Sequence, residues 1–125
     1  MLSNINATAN LAVRDLNAAR KFYEGTLGLK QVGSDGDELI VYRSGKPTLN
    51  VYRSAQAGTN KATAVTWMLG DKFDSTVKDL AAKGVKFEHY EMPDMKRDGD
   101  VYMSGDMKVA WFKDPDGNIL NIVSR

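Results

Sequence analysis

Leu11-Ala12-Val13-Arg14-Asp15 and Trp67-Met68-Leu69-Gly70-Asp71 open two stretches of this chain that continue in the same way. The first runs through a helical stretch to Gly28-Leu29-Lys30, and the second through another to Gly84-Val85-Lys86. Each aspartate stands 13 residues before its glycine, and the two copies lie 56 residues apart. Each piece has a physical role. An aspartate following a strand can accept the free backbone N–H groups at a helix start. A glycine takes up the left-handed conformation that ends a helix without a Cβ clash. Strand, capping aspartate, three-turn helix and stop make one supersecondary unit, and two in tandem predict an internally repeated α+β domain.

Working outward, Asn6–Val13 alternates small and apolar residues and predicts a strand. Leu16, Ala19, Phe22, Tyr23 and Leu27 give the following helix, to about Thr26, one apolar stripe. Leu29–Gly33 predicts a strand, and Glu38–Arg43 with Thr48–Arg53 a hairpin around Ser44-Gly45-Lys46-Pro47. Ser54–Lys61 has linker composition. The second copy predicts a strand over Thr63–Leu69, a helix over Phe73–Lys83 and a strand over Val85–Tyr90. Glu91–Asp100, rich in Met, Asp and Lys, has no counterpart in the first copy. Val101–Ser104 and Lys108–Lys113 form a predicted hairpin, Asp114-Pro115-Asp116-Gly117 a turn and Asn118–Val123 a last strand. The order is βαβββ twice, in modules of about residues 5–54 and 62–125 within one domain spanning 1–125.

The composition narrows the function classes. With 125 residues, 42% apolar and 26% charged, the chain has the make-up of an ordinary globular domain. No apolar run approaches the roughly 20 residues of a membrane span. The N-terminus lacks the basic and apolar regions of a signal peptide. The absence of cysteine rules out disulfides and thiolate metal sites and fits a cytoplasmic location. A net charge of +1, with basic residues scattered among acids, gives no footprint for nucleic acid.

The βαβββ order, with Val13-Arg14-Asp15-Leu16, Phe22-Tyr23, Leu27-Gly28-Leu29 and Asp114-Pro115-Asp116-Gly117-Asn118, resembles the vicinal oxygen chelate superfamily. That group includes glyoxalase I, extradiol dioxygenases, fosfomycin-resistance enzymes and bleomycin-binding proteins. The resemblance spans essentially the whole chain. It implies that each module curls into half of a cupped, mostly antiparallel sheet, with helices on the outer face and the concavity as the working site. It also implies a homodimer. Metal-dependent members carry ligands on the first and last strands of each module. Those positions fall here on Thr8, Asn50, Val65 and Asn121, with Ala64 as the one-residue alternative to Val65. The family's ligands are His, Gln or Glu, and none of these residues matches them. With His89 as the single histidine, a two-histidine, one-carboxylate iron site cannot be assembled. The resemblance therefore implies a member without metal or other cofactor.

Residues two apart on a strand share a face. Thr8, Asn10 and Ala12 would then line the cup with Thr48, Asn50 and Tyr52, with Val65, Trp67 and Leu69, and with Ile119, Asn121 and Val123. Tyr102 and Trp111 join Thr8, Asn10, Asn50, Tyr52, Trp67 and Asn121 as the expected ligand-binding residues. Competing readings stand beside these: Tyr52 and Trp67 also suit a core, and Asn50 and Asn121 can pair with one another or with water. The Met-rich segment reads either as a lid or as a cover for a core or a second subunit.

The function expected from these residues is non-catalytic: a metal-free protein holding a small organic, antibiotic-like or amphipathic ligand in a dimer-associated pocket. The near-neutral charge separates it from acidic family members that sequester cationic drugs. The alternative is a lyase- or isomerase-type enzyme with a non-standard or metal-independent site, using an acid–base pair drawn from Glu38, His89, Glu91, Asp94 or Tyr102.

Overall fold

The computed structural model describes residues 1–125, which divide into two compact units, Met1–Thr59 and Asn60–Arg125. The fold is α+β, with one mixed sheet in each unit.

In the first unit, β1 (Ala9–Val13) leads into α1 (Leu16–Arg20), followed by β2 (Lys30–Asp35), β3 (Leu39–Arg43) and β4 (Thr48–Arg53). The strands lie in the order β1-β4-β3-β2, with β1 parallel to β4 and the other pairs antiparallel. Asp15 caps the helix as its position predicts, its Oδ1 accepting from the N–H groups of Asn17 at 2.8 Å and Ala18 at 3.4 Å. Beyond Arg20 the helix widens into a π segment, Lys21–Thr26, with Leu27 N–H donating to Phe22 C=O, and Gly28 ends it at φ 74°. One sheet face carries Leu11, Val13, Ile40, Tyr42, Leu49 and Val51, all buried with Ala19 and Tyr23 of the helix. The opposite face carries Asn10, Asn50 and Tyr52, and it is open. Ala57 is also buried, so the predicted linker contributes to the core of this unit.

The second unit repeats the frame with different parts. β5 (Thr63–Met68) is followed by a 3-10 turn, Gly70–Lys72, and by α2 (Phe73–Ala82). Asp71 therefore lies inside the turn, and Lys72 holds the cap position with no side-chain bond. The expected capping aspartate is absent from this copy because the extra turn moves the helix start beyond it. Next come β6 (Phe87–Glu88), β7 (Lys96–Asp98), β8 (Val101–Ser104), β9 (Met107–Lys113) and β10 (Ile119–Val123). The order is β5-β10-β9-β8-β7, with β6 also on β9 and β5 parallel to β10. The predicted strand over Val85–Tyr90 shrinks to two residues, because β8 pairs with one end of β9 and β6 with Trp111 and Phe112 near the other. The Met-rich segment, for which no strand is predicted, contributes β7, which pairs antiparallel with β8.

Asp114-Pro115-Asp116-Gly117-Asn118 is a closed structural motif. The Asp114 carboxylate is buried but satisfied: Oδ1 accepts from the backbone N–H of Asp116 at 3.0 Å and of Asn118 at 2.9 Å, and Oδ2 accepts from Asn118 Nδ2 at 2.8 Å. This turn delivers the chain from β9 into β10 and so places Asn121 opposite Trp111.

Candidate ligand site

The predicted lining of the first unit comes together on one sheet face. The parallel register sets Asn10 beside Asn50 and Ala12 beside Tyr52. Asn50 Nδ2 donates to Asn10 Oδ1 at 3.2 Å, and the hydroxyls of Thr8 and Thr48 lie 3.5 Å apart. Asn50 thus spends a donor within its own sheet. Tyr52 is 38% exposed on this face, so here it is not core. A cavity of about 430 Å³ lies between Asn6, Ala7, Thr8, Lys46, Pro47 and Thr48. Its walls carry no aromatic ring.

In the second unit β10 behaves as parity predicts and β5 does not. Asn121 stands beside Trp111 on β9 and beside Thr66 on β5. The pairing of β5 with β10 shifts between Ile119 and Leu120, so that Ile119 faces Thr63 but Leu120 faces Val65. Ala64 is the extra residue of a bulge, which turns the rest of β5 over. Val65 and Trp67 therefore lie with Leu120 and Ile122, on the face opposite Asn121. The expected membership of Trp67 in the lining is corrected on this ground.

The face that carries Asn121 is the richest on the chain. Tyr102, Val109, Trp111 and Ile119 form a buried cluster, and Tyr90, Met92, Met95 and Val123 pack against it. Of the two readings of the Met-rich segment, cover for a core describes what its methionines do. The rings of Tyr90 and Tyr102 meet Trp111 edge to face, with centroids 5.8 and 5.2 Å away. Trp111 Nε1 donates to Thr63 Oγ1 at 3.1 Å. The Tyr102 hydroxyl donates to Tyr90 C=O at 2.8 Å and accepts from Tyr90 N–H. It is a structural tie, fully engaged.

Beside this cluster opens a cavity of about 300 Å³, lined by Lys61, Ala62, Thr63, Tyr90, Met92, Trp111 and Ile119. Two polar atoms on this face are buried without a partner, the Tyr90 hydroxyl and Asn121 Oδ1. Leaving such atoms unpaired costs about 1–3 kcal/mol each. Burial, then the nearby Glu88 carboxylate, pushes the Tyr90 phenol above its ordinary pKa, so it is held as a neutral donor. Of the expected residues, the sequence placed Trp111 on this cavity and Asn121 and Tyr102 beside its aromatic wall. It missed Tyr90, Thr63 and Lys61. Parity named Ile119, and the thioether argument named Met92.

Of the acid–base residues of the alternative reading, Tyr102 stands beside this cavity with its hydroxyl committed to the backbone of Tyr90, and Glu38 and His89 are paired elsewhere. Glu38 pairs with Arg53 in the first unit. His89 has a carboxylate partner that the sequence did not reveal, Asp100 at 2.8 Å, and Arg97 Nη1 lies 3.2 Å from its Nδ1. Both side chains of that pair are nearly half exposed, and neither lines the cavity. Glu88, across from Trp111, is bound by Lys113 at 3.3 Å.

The residues also do not fit the divalent ion that the fold family implies. No three His, Cys, Asp or Glu side chains gather anywhere in the structure. Thr8, Asn50 and Asn121 offer only neutral oxygens and amides, and Ala64 and Val65 offer nothing.

The chain belongs to the Glyoxalase/Bleomycin resistance protein/Dioxygenase superfamily, whose family model matches residues 4–122. Among curated proteins, none matches it significantly. Solved structures similar to it include an integron cassette protein from the mobile metagenome of the Halifax Harbour sewage outfall (14% identity, TM-score 0.72, covering 98% of this chain and 99% of that one). Lactoylglutathione lyase from Agrobacterium tumefaciens is similar at 19% identity and TM-score 0.71, over 97% and 92% of the two chains. The genomically encoded fosfomycin resistance protein of Listeria monocytogenes is similar at 14% identity and TM-score 0.73, over 98% and 93%. At these identities the likeness is one of fold. No helix is long and apolar enough to cross a membrane.

Proposed function

We propose that this protein binds a small organic molecule without a metal, holding it against Trp111 in the cavity of the second unit, and that it does so as a cytoplasmic homodimer. One observation carries the reading: the Tyr90 hydroxyl is buried without a partner, and Tyr90 lines a cavity with Trp111, Met92, Ile119, Thr63, Ala62 and Lys61. An apolar concavity with a few fixed polar groups is the usual form of a small-molecule site. The neutral donor set on the first and last strands supports binding without a metal. The names of the solved neighbours, a lactoylglutathione lyase and a fosfomycin resistance protein, place relatives of this fold among proteins of small-molecule chemistry. Unpaired outer edges on β1, β2 and β5 give a mild physical reason for a partner copy.

The test is a fluorescence titration against a broad library of small molecules. Trp67→Phe leaves Trp111 as the single reporter, since the chain has two tryptophans. Ligands are expected to quench or shift Trp111, and Trp111→Leu to abolish binding measured by calorimetry. Silence across the library would retire the reading, as would a stoichiometric transition metal in the purified protein.

A further inference from the structure

One charged side chain, Lys61, stands in the lining of the second unit's cavity, and no carboxylate of the protein answers it. Resting on the binding function just proposed, we infer that the ligand is an amphipathic monocarboxylate, an apolar body of one or two rings whose acid group pairs with the Lys61 ammonium.

The other polar groups of the lining are mostly spent. Trp111 Nε1 donates to Thr63 Oγ1 at 3.1 Å, and the backbone N–H and C=O of Tyr90 both meet the Tyr102 hydroxyl. Asn60 takes the backbone of Ala62, its Oδ1 accepting from the N–H at 3.1 Å and its Nδ2 donating to the C=O at 3.3 Å. Met92 C=O accepts from Met95 N–H at 3.1 Å. What remains is the exposed Lys61 ammonium, which has three donors and no acceptor, and the Thr63 hydroxyl, which accepts from Trp111 and keeps its proton to donate. A wall that offers donors and one positive charge calls for an acceptor carrying negative charge. The nearest carboxylate on the sheet, Glu88 across from Trp111, is bound by Lys113 at 3.3 Å and does not line the cavity.

The rest of the lining restricts the body and the charge. Trp111, Met92 and Ile119 give an apolar wall, and the Met92 thioether adapts to an irregular shape. A volume of about 300 Å³ lies at the small end of ligand pockets and suits one or two rings. A cation would meet Lys61 with no counter-ion. A dianion would bring a second charge against the apolar wall with no partner, which is costly. A single carboxylate at one end of an apolar body satisfies both limits.

Three matched probes test this by calorimetry at pH 8 in low salt: 1-naphthylacetate, the neutral 1-naphthylacetamide and the cationic 2-(1-naphthyl)ethylamine. The carboxylate is expected to bind about fivefold more tightly than the amide, the upper range for a solvent-exposed ion pair. The amine is expected to bind more weakly than either. At about 0.5 M salt the carboxylate's advantage is expected to shrink toward nothing. Lys61→Gln is expected to bring the carboxylate down to the level of the amide and to leave the amide unchanged. Lys78→Gln, on an exposed position of α2, makes the same change in net charge and is expected to leave all three unchanged. Equal binding of carboxylate and amide by the native protein would overturn the inference and leave the broader binding function standing. So would a preference that survives Lys61→Gln, or one that Lys78→Gln reduces as much. No binding by any of the three would also overturn it, and the library titration of Trp111 would then decide the broader function separately.

Discussion

The Tyr42 and Tyr90 hydroxyls are both buried, one with a partner and one without, and their removal should have opposite effects. The Tyr42 hydroxyl donates to Glu24 Oε2 at 2.7 Å, and Arg20 holds the same carboxylate at 3.1 Å. Burial, then the hydrogen bond and charge of Glu24, raises the Tyr42 pKa far above its ordinary value of 10.0. Because the folded state resists ionisation, this stabilisation is complete below the unfolded pKa near 10.0 and is lost as the pH climbs toward the folded one. Tyr42→Phe is expected to lower stability by about 1–3 kcal/mol at pH 8, the worth of a hydrogen bond to a charged acceptor. It should also flatten the fall in Tm above pH 10, measured by circular dichroism. Tyr90→Phe removes a hydroxyl that has no protein partner. Without ligand it is expected to raise stability by up to about 1 kcal/mol, since the desolvation penalty goes with the atom. A loss of stability in Tyr90→Phe would show that the hydroxyl is satisfied after all.

At the scale of elements, Asp15 and Asp71 occupy the same place in the repeat yet differ in what they do. Asp15 accepts two backbone N–H bonds, whereas Asp71 sits in a 3-10 turn one step ahead of a helix that starts without a side-chain cap. Asp15→Ala is expected to cost about 1 kcal/mol in urea unfolding, and Asp71→Ala to fall within about 0.5 kcal/mol of the native protein. The 13-residue spacing from aspartate to glycine was legible because it is fixed by the length of a helix between two strands. How the spacing is filled was not legible: one copy uses a cap, an α segment and a π segment, and the other a 3-10 turn and an α-helix. The face of Trp67 was illegible for a sharper reason. Strand periodicity is two, so the single extra residue Ala64 inverts every later side chain, and nothing in Thr63-Ala64-Val65-Thr66 marks the bulge. Asn10 and Asn50 lie side by side on one sheet face, as strand alternation expects, because neither β1 nor β4 carries a bulge.

At the scale of the whole molecule, the fold is that of a superfamily in which strand positions hold a divalent ion, whereas the side chains at those positions here bind one poorly. Thr8 and Asn50 belong to the first unit and are engaged with Thr48 and Asn10. Asn121 in the second unit has Thr66 and Trp111 as its cross-strand neighbours. Neutral oxygens of this kind lack the charge that offsets the cost of stripping water from a divalent cation. The consequence is thermodynamic and covers the entire chain, because an ion that binds only the folded state raises stability by mass action. At about 1 mM, an ion bound with a micromolar constant would add about 4 kcal/mol, or on the order of 10 °C in Tm for a chain of this length. Thermal unfolding with Zn²⁺, Ni²⁺, Mn²⁺ or Fe²⁺ is instead expected to shift by under about 1 °C, and chelation with EDTA to change nothing. An increase of several degrees with one of these ions, reversed by EDTA and lost in Asn121→Leu, would restore the ion and remove the ground for metal-free binding.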